Sequence, residues 1–125
     1  MTPLETVRTF LKAMEVKDYD TALPLLAEDC DYQNMPIGKA KGREGARAAL
    51  EPFFAPTVEN ELIILKESVA GDFVVTERLD RHRLPDRWVE LPVCGLWEIH
   101  DGRIAAWREY FDLQTLFRQW PELKG

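Results

Sequence analysis

From Val58 to Phe111 the apolar residues of this chain recur with a period of two, and that alternation commits nearly half of it to a β-sheet. Three turn signals divide the stretch: Gly71-Asp72, Pro85-Asp86 and Asp101-Gly102. They predict strands over 58–69, 73–84, 88–100 and 103–111. Asp-Gly between alternating runs is a strong signal for a two-residue type I′ hairpin, whose central residues both need positive φ. Strands joined by such short turns pair antiparallel with their neighbours, so this half is a meander.

Ahead of the meander the period is helical. Thr2-Pro3-Leu4-Glu5 combines a cap, a proline at the first helical position and a capping-box glutamate. Leu4, Val7, Phe10, Leu11 and Met14 follow as one apolar stripe, predicting a helix that ends near Val16. Asp18 can cap a short second helix whose apolar contacts are Leu23, Leu25 and Leu26, with Pro24 limiting its regularity. A strand is expected over 30–35, with Cys30, Tyr32 and Asn34 on one face and Pro36 ending its pairing. Gly42-Arg43-Glu44-Gly45 leads into a third helix through Phe53, with Ala46, Ala49, Leu50 and Phe53 as its buried stripe. Residues 113–120 read as a last helical turn or two before Pro121.

Helices first and an antiparallel meander after them define an α+β domain. The expected architecture is a curved, mostly antiparallel sheet with the N-terminal helices packed on its concave face. Such an arrangement forms a cone with a deep apolar pocket. A single domain is expected over 1–125, since no linker, repeat or low-complexity tract interrupts the pattern.

Residue chemistry narrows the function. A net charge of −6 over 125 residues argues against a nucleic-acid or anionic-membrane surface, which would call for a basic patch. No apolar run is long enough to span a bilayer, and the polar start predicts no secretory signal. Cys30 and Cys94 stand in apolar strand contexts and read as buried thiols, so the expected compartment is the cytoplasm. His82 and His100 are too scattered for a metal site. Trp88, Trp97, Trp107 and Trp120 read as core or interface.

The chemistry-bearing stretch is Arg78-Leu79-Asp80, in the middle of the strand over 73–84. Alternation puts Val74, Thr76, Arg78, Asp80 and His82 on one face. A charged pair on a partly apolar face is either a solvated cross-strand ion pair or a site lining a cavity. Asp112 offers a second carboxylate at the end of Trp107-Arg108-Glu109-Tyr110-Phe111-Asp112. It reads equally as the N-cap of the following helix, and a bulge near the strand end would decide its aim. Tyr32 and Asn34 are either a core tyrosine and a turn asparagine or a pair that holds one water.

Taken together, Tyr32-Gln33-Asn34-Met35-Pro36, Arg78-Leu79-Asp80 and Trp107-Arg108-Glu109-Tyr110-Phe111-Asp112 resemble the limonene-1,2-epoxide hydrolase family. The resemblance implies the cone-shaped fold also found in ketosteroid isomerases and nuclear transport factor 2, and a homodimer. It implies Asp112 as base, Asp80 as acid, Arg78 bridging the two, and Tyr32 and Asn34 holding the nucleophilic water. The implied substrate is a small apolar epoxide, cyclic or terpene-like, opened to a vicinal diol by direct water attack. No covalent intermediate, metal or cofactor is called for. Two carboxylates, one guanidinium and one shared proton are together neutral, so burial favours keeping that proton. The alternatives are an isomerase or polyketide cyclase using one aspartate for proton transfer, and a non-catalytic ligand-binding domain.

Overall fold

The computed structural model describes residues 1–124, so Gly125, the last residue of the expected domain, lies outside the described residues. Helix α1 (Pro3–Glu15) begins with the expected capping box: Glu5 N donates to Thr2 Oγ1 and Thr2 N donates to Glu5 Oε1. Its apolar stripe buries Val7, Phe10, Leu11 and Met14. Asp18 caps the one-turn helix α2 (Tyr19–Ala22), and Pro24 falls in a 3₁₀ turn, Leu23–Leu25.

Strand β1 (Leu26–Asn34) starts four residues earlier than its alternation predicts, because Leu26 already pairs with Ile104. The sequence reading missed strand β2 (Gly38–Lys41), a short polar edge piece with no alternation to reveal it. At the entry to helix α3 (Gly42–Phe54), Gly42 has φ +73°, and a Cβ there would stand 2.8 Å from the Glu28 carbonyl oxygen. The position therefore requires glycine. Phe54, not Ala49, completes the buried stripe of α3; Ala49 is exposed beside the central cavity.

The meander follows as β3 (Glu59–Ala70), β4 (Phe73–Leu84), β5 (Arg87–His100) and β6 (Arg103–Tyr110). Asp101 and Gly102 both have positive φ, 51° and 75°, as a type I′ turn demands. The sheet order is β2-β1-β6-β5-β4-β3. Among the described residues only β1 and β6 pair in parallel; this contact joins the N-terminal half to the meander. Helix α4 (Leu113–Gln119) and a 3₁₀ turn, Pro121–Lys124, close the chain.

Helices α1 and α3 cover the inner face of the sheet over one core that includes Phe10, Leu26, Trp97, Ile104 and Trp107. A second cluster of Leu84, Val89, Leu91, Val93, Leu116 and Trp120 lies under α4, and Phe53 packs against both. No described helix is long and apolar enough to cross a membrane. Cys30 is buried and Cys94 half-buried, both as free thiols.

Phe10 is fully buried and meets both Trp97 and Trp107 edge-to-face, with ring centroids 5.9 and 5.0 Å apart. It pins α1 to the sheet. Phe10→Ala is expected to cost about 3–5 kcal/mol in a urea unfolding experiment, the range for deleting a core aromatic ring.

Candidate active site

Two registered rows of side chains run across the inner face of the sheet. The first is Tyr32 on β1, Trp107 on β6, Trp97 on β5 and Val74 on β4. Its aromatic members stack: Tyr32 on Trp107 at 4.1 Å and 17°, and Trp107 on Trp97 at 4.8 Å and 11°. The second row is Asn34, Glu109, Gly95 and Thr76 on the same four strands. Side chains of the second row therefore stand on an aromatic shelf.

Arg78 crosses this second row. Its guanidinium presents one edge to each of two carboxylates. Nε and Nη2 donate to Asp80 Oδ1 and Oδ2, both at 3.0 Å. Nη2 and Nη1 donate to Glu109 Oε1 and Oε2 at 2.7 and 3.1 Å. The remaining Nη1 proton reaches Thr76 Oγ1 at 3.3 Å, and that oxygen also accepts from Trp97 Nε1 at 3.0 Å. All five guanidinium N–H groups are thus engaged. Arg78 is 2 % exposed, Glu109 6 % and Asp80 7 %, which removes the reading of Arg78 and Asp80 as a solvated ion pair.

Gly95 makes room for the guanidinium. A Cβ at this position would stand 2.7 Å from Arg78 Nη1, 2.8 Å from Trp97 Nε1 and 2.9 Å from Glu109 Oε2. The side chain missing from the second row is therefore replaced by the bridging arginine.

The expectation for Asp112 is not met. Asp112 is the N-cap of α4, its Oδ2 accepting from Thr115 N at 3.0 Å and from Thr115 Oγ1 at 2.6 Å. These bonds hold its pKa below the usual carboxylate range. It is exposed and outside the cavity, and Glu109 is the second carboxylate on Arg78. The reason is strand parity. Trp107 faces the core, so Glu109 two residues later faces it too, and no bulge near the strand end re-aims Asp112. The buried Trp107 was the signal that could have singled out Glu109.

Arg78, Asp80, Tyr32 and Asn34 do come together, on the wall of one cavity of about 300 Å³. The rest of its lining is mainly apolar, including Phe10, Met14, Leu50, Leu62, Val93 and Phe111. His82 and Trp107 also line it. The Trp107 Nε1–H is buried without a hydrogen-bond partner and lies close enough to Glu109 to favour its anion. Among the described residues no group of three His, Cys, Asp or Glu side chains is arranged to hold a metal ion.

Electrostatics follow from burial. Desolvation raises the pKa of Glu109; the charge and hydrogen bonds of Arg78 oppose the rise, and the Asp80 charge adds to it. Burial works against the charge of Arg78, but the two carboxylates outweigh it and hold its pKa above the ordinary value. Burial, with the Glu109 charge, raises that of Tyr32, so its phenol keeps its proton. His82 is pushed down to about 4, chiefly by burial, and stays neutral at pH 7.

The site is thus a pair of buried carboxylates on one arginine, set in the cavity of a curved α+β sheet. The family model for the limonene-1,2-epoxide hydrolase catalytic domain matches residues 1–122. Epoxide hydrolase EphG of Mycobacterium tuberculosis is 35% identical over 113 residues, covering 90% of this chain and 74% of that protein. The solved structure of an M. tuberculosis LEH-like epoxide hydrolase superposes with a TM-score of 0.83 at 30% identity, over 96% of this chain and 90% of that one. A SnoaL-like protein from Shewanella denitrificans shares the fold at TM-score 0.86 and 17% identity, over 96% and 97%. This chain belongs to the limonene-1,2-epoxide hydrolase family.

Two outcomes test the geometry. Gly95→Ala is expected to displace the guanidinium and lower stability by about 1–3 kcal/mol, with a crystal structure showing Arg78 moved off Glu109. For His82, the folded pKa near 4 lies below the ordinary 6.5. Its neutral burial contributes fully above pH 6.5 and is lost as pH falls through 4. Urea unfolding should show a loss of about 3 kcal/mol between pH 7 and pH 4 that His82→Leu does not share.

Proposed function

We propose that this member of an epoxide hydrolase family opens a small cyclic or terpene epoxide to a vicinal diol by direct attack of water. The observation that carries the reading is the doubly forked Arg78, which holds two carboxylates at one end of an apolar cavity. Two carboxylates and one guanidinium leave one negative charge, and burial favours a proton shared between Asp80 and Glu109. In the reactive form that proton sits on Asp80.

Glu109 then acts as base. Asn34 is its partner across the β1–β6 pairing, and Tyr32 shares the face of Asn34. A neutral phenol and a carboxamide beside a carboxylate suit one water that donates a proton to Glu109. As its oxygen bonds to an epoxide carbon, the carbon–oxygen bond of the ring breaks. Asp80 delivers its proton to the leaving oxygen while Glu109 takes one from the water. The net change is epoxide plus water to diol, with a proton moved from Asp80 to Glu109. Arg78 remains charged and keeps both carboxylates in place, so the step creates no net buried charge. A second carboxylate on the arginine also favours this reading over an isomerase, whose single base would need no such partner.

The largely hydrocarbon lining supports an apolar substrate. The outer face of the sheet leaves Ile63 and Tyr110 exposed, which supports pairing with a second copy of the chain. Two free thiols fit a reducing compartment, in line with a cytoplasmic enzyme.

Asp80→Asn and Glu109→Gln are each expected to lower kcat by about 10²–10⁴ on a cyclic epoxide such as limonene oxide. Asp112→Ala should lose only its cap, with a small loss of stability, and keep its activity. In labelled water under single-turnover conditions the isotope should appear in the diol and not in a protein carboxyl; label found in Asp80 or Glu109 would exclude direct attack. Burial raises the pKa of Glu109, so the pair as a whole holds one proton, and the stability that proton gives is full below the ordinary carboxylate pKa. It declines as pH rises through the raised value. Both kcat and wild-type stability should therefore fall on the alkaline side, and Glu109→Gln should lack that stability loss.

A further inference from the structure

His82 sits in the cavity wall, on the face of β4 that carries Asp80 two residues earlier. A hydrogen-bond chain fixes its tautomer. Thr57 Oγ1 donates its only proton to the Phe54 carbonyl at 2.7 Å, so toward Asn60 it can only accept. Asn60 Nδ2 is that donor, at 2.9 Å, and the same amide nitrogen leans on the Glu15 carbonyl at 3.4 Å. The amide oxygen of Asn60 is then the atom that meets His82 Nδ1, at 2.7 Å. An oxygen with no proton requires one on Nδ1, and in a neutral imidazole the other nitrogen carries a lone pair.

That nitrogen, Nε2, makes no hydrogen bond with any described residue. The ring is held edge-to-face between Phe53 and Phe54, at 5.1 and 5.6 Å, with Trp120 tilted at 6.4 Å. Across the sheet its partners are Val89 on β5 and Asn60 on β3. The charged groups acting on it are Asp80 and Arg78, already committed to each other. An otherwise hydrocarbon part of the cavity thus presents one oriented acceptor near the proposed acid.

We infer that His82 sets substrate specificity: its Nε2 accepts a hydrogen bond from a hydroxyl on the substrate, so the preferred class is a cyclic epoxide that also carries an alcohol near the ring. This rests on the hydrolase reading. A hydroxyl there meets the lone pair, whereas an ether oxygen at the same position sets one lone pair against another. The competing account is a histidine that only ties β4 to β3 through Asn60, and it predicts no preference between the two.

The test has one arm without turnover. Wild-type protein with ¹⁵N-labelled histidine is titrated with cyclohexanol and with its methyl ether, neither of which can be hydrolysed as an epoxide. The bare-nitrogen resonance of His82 Nε2 should move with the alcohol and stay fixed with the ether. The second arm measures kcat/KM for 2,3-epoxycyclohexanol and its methyl ether. Wild type should favour the alcohol by about tenfold or more, the discrimination a buried polar partner provides, and His82→Leu should bring the ratio to about one. A proton found on Nε2, an identical response to both probes, or an unchanged ratio in the variant would overturn the assignment. If His82→Leu does not fold, the titration of the wild-type protein decides alone. A response to the alcohol with no epoxide turned over would instead count against the hydrolase reading and support the hydroxyl site.

Discussion

The structure depends on a single guanidinium that has no water to fall back on. A buried arginine without partners costs several kcal/mol, and so does each buried carboxylate. Here the three are placed so that every N–H of Arg78 has an acceptor and each carboxylate is gripped along a full edge. The sum is one negative charge, which in the proposed reading a single shared proton neutralises. Folding and proposed chemistry thus draw on the same electrostatic balance. The proton that makes burial tolerable is the proton an epoxide oxygen would take.

What makes the balance possible is packing that looks unrelated to chemistry. Strands β4, β5, β6 and β1 put Thr76, Gly95, Glu109 and Asn34 in register, and a glycine at one of these positions lets the arginine lie flat across the row. The stacked Tyr32, Trp107 and Trp97 form the shelf beneath, with Phe10 of α1 braced against both tryptophans. Four strands and one helix must therefore be in place before the cluster exists. The parallel β1–β6 contact matters most, because it brings the face of β1 that carries Tyr32 and Asn34 beside Glu109.

The cavity has a polar end and a greasy remainder, with His82 as a departure from that division. Its neutral ring is set by burial and oriented by Asn60 and Thr57, which do not line the cavity themselves. In the proposed reading, selectivity and catalysis fall to separate hydrogen-bond systems on one strand: Asp80 belongs to the arginine cluster, His82 to the Asn60 chain. Neighbouring side chains of a strand face point into one cavity yet answer to different strands on either side, which is how a sheet can vary substrate preference without disturbing its acid–base pair.

Much of this was legible in the residues alone. Alternation along 73–84 put Arg78, Asp80 and His82 together on one face of β4. Asp101-Gly102 located the hairpin, and Thr2 with Glu5 the first helix, because these are local steric and hydrogen-bonding demands. Tyr32 and Asn34 followed from parity on β1. The second carboxylate did not: Asp112 and Glu109 are three residues apart, and choosing between them needs the facing of β6, which is set by Trp107 packing on Trp97 and Tyr32 from other strands. Strand β2, Gly95 and the His82 tautomer were likewise decided only in three dimensions. Local sequence dictates which way a strand's side chains alternate; only the assembled core decides which of the two faces is buried, and here that choice selected the second carboxylate.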